Sequence, residues 1–202
     1  MNMNFYDKYD FVKSSGLLGV NVLGTGATST IYEIESKLFK KKYALKLITP
    51  SAKYAQRKYI TKLKSIQNKQ EREEFEKNKI QYIQNVINEY EREIRREIRI
   101  LSKIKNIKNV LKIVDHYENF EYKGDVYKLA MVFEIYDTFL SSPGLSEYGG
   151  VIECIQKTGE ELPASVIFKF FLDISTALNE LKKLEIVHRD IKLENLMLRQ
   201  NK

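Results

Sequence analysis

A chain of 202 residues, 43% hydrophobic and 30% charged, is long enough for one large domain or two small lobes with a sizeable core. It has no run of about 18 apolar residues to span a bilayer and no secretory leader in "MNMNFYDKYD", and its one cysteine, Cys154, cannot form an internal disulfide. The net charge of +7 is interleaved with acids, as in "NEYEREIRREIRI", so neither a nucleic-acid nor a membrane partner is expected, and the setting expected is reducing, intracellular and cytoplasmic.

Residues 1–15 are polar and aromatic and are expected to form a loosely docked lead-in. From Leu17 to Ile48 the runs "LLGVNVLG", "TSTIYEIES" and "KKYALKLI" are β-branched or aromatic, punctuated by "GTGA" and "KLFKKK". That pattern predicts three antiparallel strands, with Ala44 and Lys46 on one face of the third. After Pro50, residues 51–104 contain neither glycine nor proline and have a helical composition. Ile80, Ile83, Ile87, Tyr90, Ile94, Leu101 and Ile104 recur at steps of three and four, one stripe of a long helix. Glu97 falls in that stripe where an apolar side chain is expected. A carboxylate buried there must find a partner.

Strands resume at "VLKIVDHYENF" and "DVYKLAMVFEIYD", joined by "EYKGD", whose glycine suits a hairpin loop. "SSPGLSEYGG" reads as a linker between lobes and "VIECIQKTG" as a short helix. In "LPASVIFKFFLDISTALNELKKLE" a helix is expected to begin near Pro163, with Ile167, Phe170, Phe171, Ile174, Leu178 and Leu181 on one face.

The window "IVHRDIKLENLML", residues 186–198, gathers polar groups between ends that read as strand. A loop there could aim Asp190 and Asn195 at one point: a carboxylate able to accept a proton, and an amide oxygen able to ligate a hard cation. Lys192 would add a positive charge on the same side. Phosphoryl transfer needs this set of a base, a metal ligand and a cation.

His188, Arg189, Asp190, Lys192 and Asn195 resemble the catalytic loop of eukaryotic protein kinases, H-R-D-x-K-x-x-N. Upstream, "LGTGATSTI" is similar to the family's glycine-rich loop. Leu23 opens it, Gly24 and Gly26 match its first two glycines, Ile31 matches its following aliphatic, and Ser29 stands where a third glycine is usual. "YALK" looks like the family's V-A-I-K strand, which makes Lys46 the lysine expected to hold the α- and β-phosphates and Ala44 the small residue beside the adenine. Glu97 matches the helix glutamate that pairs with this lysine, with Glu93 its nearest rival. "MVFEIYD" resembles the hinge: Phe133 would close the back of the nucleotide pocket, and Glu134 to Tyr136 would offer backbone groups to the adenine.

The resemblance implies an α+β, bilobal protein-kinase-like fold with a complete N-terminal β-sheet lobe, a long helix and a partial helical C-terminal lobe. The expected division is a lead-in at 1–15, an N-lobe at 16–138 with a helical insertion at about 51–88, and a linker with partial C-lobe at 139–202. No D-F-G segment follows Leu198, so the chain is expected to be a fragment of a longer kinase, with the apolar face of the 164–184 helix left uncovered. The activity implied is serine/threonine phosphorylation with ATP and Mg2+: Asp190 as base, Lys192 steadying the γ-phosphate and marking the serine/threonine subgroup, and Asn195 on the metal. The partners implied are ATP and a protein substrate with serine or threonine, and a helical or regulatory partner could engage 51–88. The alternative is a catalytically inactive nucleotide-binding or scaffolding module.

Overall fold

The computed structural model describes residues 4–14, 19–26, 28–135, 138–139, 163–192 and 195–198. In chain order the elements are α1 (Phe5–Lys8), β1 (Tyr9–Phe11), β2 (Val22–Thr25), β3 (Ser29–Ser36), β4 (Lys42–Ile48), α2 (Ser51–Ser65), α3 (Lys69–Lys77), α4 (Lys79–Ile104), β5 (Ile113–Tyr122), β6 (Asp125–Glu134), β7 (Thr138–Phe139), α5 (Ala164–Lys183) and β8 (Met197–Leu198). The chain divides into two compact units, Met1–Arg99 with Val114–Val132, and Ile100–Ile113 with Phe133–Lys202. Among the described residues no helix is long and apolar enough to cross a membrane. The expected 141–150 linker, the 151–159 helix and Cys154 lie outside the described residues.

The first unit is built on a sheet of order β1-β3-β4-β6-β5, with β2 also paired to β3. β3 pairs with β4 along its whole length, from Ser29 opposite Ile48 to Glu35 opposite Lys42. Its other edge is divided: β1 pairs with residues 34–36 and β2 with residues 30–32. The three strands expected between Leu17 and Ile48 are therefore β2, β3 and β4. The first is shorter than "LLGVNVLG" suggested, since regular pairing starts at Val22. The predicted β5–β6 hairpin turns at Lys123 and Gly124, both left-handed at φ 51° and 78°. Two such residues match the twist of the flanking strands.

The lead-in is not loosely docked. Phe5 is fully buried and Tyr9 nearly so, in one cluster with Ile34, Leu45, Leu47, Phe120, Tyr122, Ala130 and Val132. Phe5 meets Phe120 edge-on at 4.9 Å, and Phe11 stacks on Tyr122 at 4.5 Å. Enclosing a phenylalanine contributes roughly 1.5–3 kcal/mol, enough to hold a short segment in place. Composition concealed this because polar residues separate the aromatic ones.

Residues 51–104 are helical, but in three pieces. Asn68 accepts a hydrogen bond from the Glu71 N–H at 3.1 Å and so caps the start of α3. Asn78 closes α3, and α4 begins at the next residue. The stripe on α4 is buried at Tyr90 and Ile94, yet its first member, Ile80, is 85% exposed.

In the second unit α5 starts after Pro163, as expected, and buries Ala177 and Leu181. Val166, Ile167, Phe168, Phe171, Leu172 and Leu178 stand exposed along it. Asn109 donates to the backbone oxygen and the carboxylate of Asp173, which ties the segment after α4 to α5. The end of α5 is closed tightly. Glu185 turns left-handed at φ 57°, its N–H donates to the Lys182 carbonyl, and the Ile186 N–H donates to the Leu181 carbonyl. This corrects the strand-like reading of the window's first flank, because the Ile186 N–H belongs to the helix end. Only the second flank is a strand, β8, paired with β7.

Candidate functional site

Two groups of side chains emerge, one in each unit. In the first, the register of β3 and β4 sets Ile31 opposite Lys46 and Glu33 opposite Ala44. Leu45 and Leu47 are buried, so Ala44 and Lys46 share the other face of β4, both half-buried. On α4, Glu97 lies seven residues beyond Tyr90 and so falls on nearly the same face. The Lys46 Nζ donates to Glu97 Oε1 at 3.0 Å. The charge that interrupts the apolar stripe thus meets the lysine of β4, while Glu93 is exposed. With the Glu97 side chain 38% exposed, the pair adds little to stability.

The glycine loop joins β2 to β3. β2 breaks register between Val22 and Gly24, at Leu23, which is 37% exposed. The Gly26 N–H donates to the Ser29 carbonyl at 2.8 Å, so Ser29 serves as the first residue of β3. Among the described residues, a Cβ on Gly24 would meet nothing within 4 Å, and one on Gly26 would make only an ordinary contact with the Ser29 oxygen at 3.8 Å. Packing among the described residues therefore does not require either glycine. Without a Cβ at either position, the backbone is open to close approach by another molecule.

In the second unit, Phe133 is buried near the end of β6 and Glu134 half-buried beside it. Tyr136, the last of the expected hinge residues, lies outside the described residues. The polar window folds back on itself after Arg189, which is left-handed at φ 67°. Asn195 Nδ2 donates to both the backbone oxygen and Oδ2 of Asp190, each at 2.8 Å, and Lys192 Nζ stands 3.2 Å from the same Oδ2. The Asn195 hydrogen bond, followed by that of Lys192, holds the exposed Asp190 carboxyl below its ordinary range. It is a carboxylate at neutral pH, able to accept a hydrogen bond from a hydroxyl.

A hard cation finds a partial donor set here. With its NH2 turned to Asp190, Asn195 retains Oδ1 as an acceptor, one of the six or more oxygens that magnesium or calcium takes. Among the described residues no group of three His, Cys, Asp or Glu could hold a metal, so Asn195 Oδ1 is a candidate oxygen donor and not by itself a metal site.

Sequence reasoning missed the packing of α2 on α4. Tyr54 of α2 stacks on Tyr90 of α4 with ring centroids 3.9 Å apart. Tyr90 had been assigned only a place in the apolar stripe, and nothing in the spacing of Tyr54 and Tyr90 signals a ring contact.

A family model described as protein kinase domain matches residues 60–202, well over half of the chain. The matched span takes in α4 with Glu97, β5, β6, α5 and the polar window, and begins beyond the glycine loop and Lys46. No curated protein matches the chain.

Proposed function

The chain belongs to the protein kinase domain family, and from that premise we propose that it acts as a serine/threonine protein kinase using Mg-ATP. The observation that carries the proposal is the convergence of the Asp190 carboxylate, the Lys192 ammonium and the Asn195 amide on one point. In this reading a substrate hydroxyl donates its hydrogen bond to Asp190. As its oxygen forms a bond to the γ-phosphorus, the bond from that phosphorus to the β-γ bridging oxygen breaks, ADP leaves, and the hydroxyl proton passes to Asp190. Lys192 offsets charge on the transferred group. Lys46, oriented by Glu97, holds the α- and β-phosphates, and Gly24 and Gly26 let backbone N–H groups approach them. Leu23, Ile31, Ala44 and Phe133 contribute apolar surface to the adenine, and Glu134 and Tyr136 contribute backbone groups. Asn195 would hold magnesium, which would supply charge neutralisation when bound. Lys192 carries the assignment to serine and threonine.

Binding of a fluorescent ATP analogue is the primary test. The chain should bind it, and Lys46→Met should weaken binding about tenfold or more, as expected for losing a charged phosphate contact. Equal binding by both proteins would refute the assignment of Lys46. Where transfer is measurable, Asp190→Ala should lower it roughly 10²–10⁴-fold with the melting temperature unchanged, since the side chain is exposed. Phosphoamino-acid analysis of the product then separates serine and threonine from tyrosine.

A further inference from the structure

α2 continues directly from the strand that carries Lys46. β4 ends at Ile48, and α2 starts at Ser51. Thr49, between them, is bonded on both sides: its N–H donates to the Thr28 carbonyl at 2.8 Å, and its carbonyl accepts from the Tyr90 hydroxyl at 3.1 Å. One residue therefore links the return of the glycine loop, the end of β4 and the helix bearing Glu97. Tyr54 stacks on Tyr90 with the rings 10° from parallel, and Lys58 lies over the Tyr54 ring at 5.6 Å. Burial pushes the Tyr90 hydroxyl well above its ordinary pKa, so it remains a donor. Lys53 of α2 is also paired with Asp125 of β6 at 2.5 Å. Further along, Tyr59 of α2 stacks on Phe75 of α3 at 5.3 Å, and Phe75 meets Tyr82 of α4 at 4.9 Å. α2 is thus fixed to the sheet at one end and to α4 through two aromatic contacts.

We propose that α2 is a built-in positioning element for the Lys46–Glu97 pair, with Tyr54 and Tyr90 as positioning residues that clamp α4 to Thr49. Two helical turns separate Tyr90 from Glu97, about 10 Å of rise, so a shift or rotation of α4 at the clamp is carried directly to the carboxylate. The pair itself is half-exposed and too weak to set the helix in place. The stacked rings and the bond to Thr49 supply what it lacks. The inference rests on the reading of Lys46 as the phosphate-holding lysine only for its consequence in nucleotide binding; the clamp stands on its own geometry.

The experiment follows acetylation of individual lysines in the whole chain by trace acetic anhydride, read by peptide mass spectrometry. A lysine whose Nζ donates to a carboxylate must break that bond to present its nitrogen to the reagent, and so reacts slowly. Lys8, held by Asp115 at 2.6 Å in the same unit, is the internal control. Glu97→Gln defines the rate for unpaired Lys46. Tyr90→Phe, which keeps the ring and removes the bond to Thr49, and Tyr54→Leu should each raise Lys46 acetylation at least about twofold with Lys8 unchanged. Tyr54→Phe, which keeps the stack, should match the unaltered chain. An unchanged Lys46 rate in Tyr90→Phe and Tyr54→Leu overturns the clamp. So does an equal rise at Lys8, which marks general loosening. In the second arm, Tyr90→Phe should weaken binding of the ATP analogue about threefold, and no further when Glu97→Gln is already present. Additive losses overturn the coupling. If the unaltered chain binds no analogue, the kinase reading fails and acetylation alone decides the clamp.

Discussion

Phe5, Ile34, Leu45 and Leu129 of the first unit are enclosed completely, whereas Phe168 and Phe171 of the second stand 73% and 67% exposed. Both sets come from sequence of similar apolar content, so composition alone does not decide burial. In the first unit the main apolar faces among the described residues pack within the unit: strands alternate, α1 covers the cluster, and α2 to α4 share aromatic rings, while Leu38, Phe39 and Ile80 stay exposed at its edges. Within its packed interior the group that interrupts the apolar pattern is polar, Glu97 with its partner Lys46, and that pair has a chemical reading. In the second unit the period of α5 dictates a helix but not a cover for it. Its unexplained groups include apolar ones as well as the exposed polar window.

The sharpest way to break this contrast is Phe5→Ala. Removing a fully enclosed ring should cost about 3–5 kcal/mol of unfolding free energy by denaturant titration. A cost below about 1 kcal/mol would return the lead-in to the status of a loose tail. Acidification should come next in size. Glu33 and Asp115 would be pushed up by burial, but hydrogen bonds from Lys42 and Asn21 to Glu33, and from Lys8 and Tyr117 to Asp115, hold both below their ordinary values of 4.5 and 3.8. Carboxyls with lowered folded pKa values add stability above the ordinary range and lose it as pH falls through the folded values. The melting temperature should therefore drop as pH is lowered below about 4.5, and Asp115→Asn should reduce that acid-dependent drop by about 2–4 °C. A drop undiminished in Asp115→Asn would assign it elsewhere. The smallest effect is expected on α5, where Phe168→Ser with Phe171→Ser should change stability by no more than about 0.5 kcal/mol per site. A loss comparable to that of Phe5→Ala would show these rings to be structurally engaged.

The sequence disclosed elements whose signal is periodic or local: β3 and β4 by alternation, the β5–β6 turn by its glycine, α5 by its apolar stripe. Glu97 was legible because it violated a period, and its partner Lys46 through the resemblance of "YALK" to the kinase lysine strand, alternation adding only that Ala44 and Lys46 share a face. The juncture of Asp190, Lys192 and Asn195 follows from short spacing within one loop. Less legible were contacts set by tertiary packing. Phe5 lies more than a hundred residues from Phe120, and the rings of Tyr54 and Tyr90 meet only because α2 turns back from β4. The interruptions at Asn68 and Asn78 were missed because both residues sit in a charged run whose composition favours helix throughout. A single capping side chain outweighed that preference.

The divided edge of β3 has a kinetic consequence. β1 is anchored by Tyr9, while β2 is short, irregular at Leu23 and largely exposed. The run-in to β2 is tied to the chain beyond β1, since the Asn21 N–H donates to the Val12 carbonyl and Val20 bridges to Lys13. Fraying is therefore expected at the far end of β2, whose amide protons should exchange with solvent before those of β1. Such fraying would loosen the strand end that faces Ile31, the residue opposite Lys46, and leave the β3–β4 pairing in place.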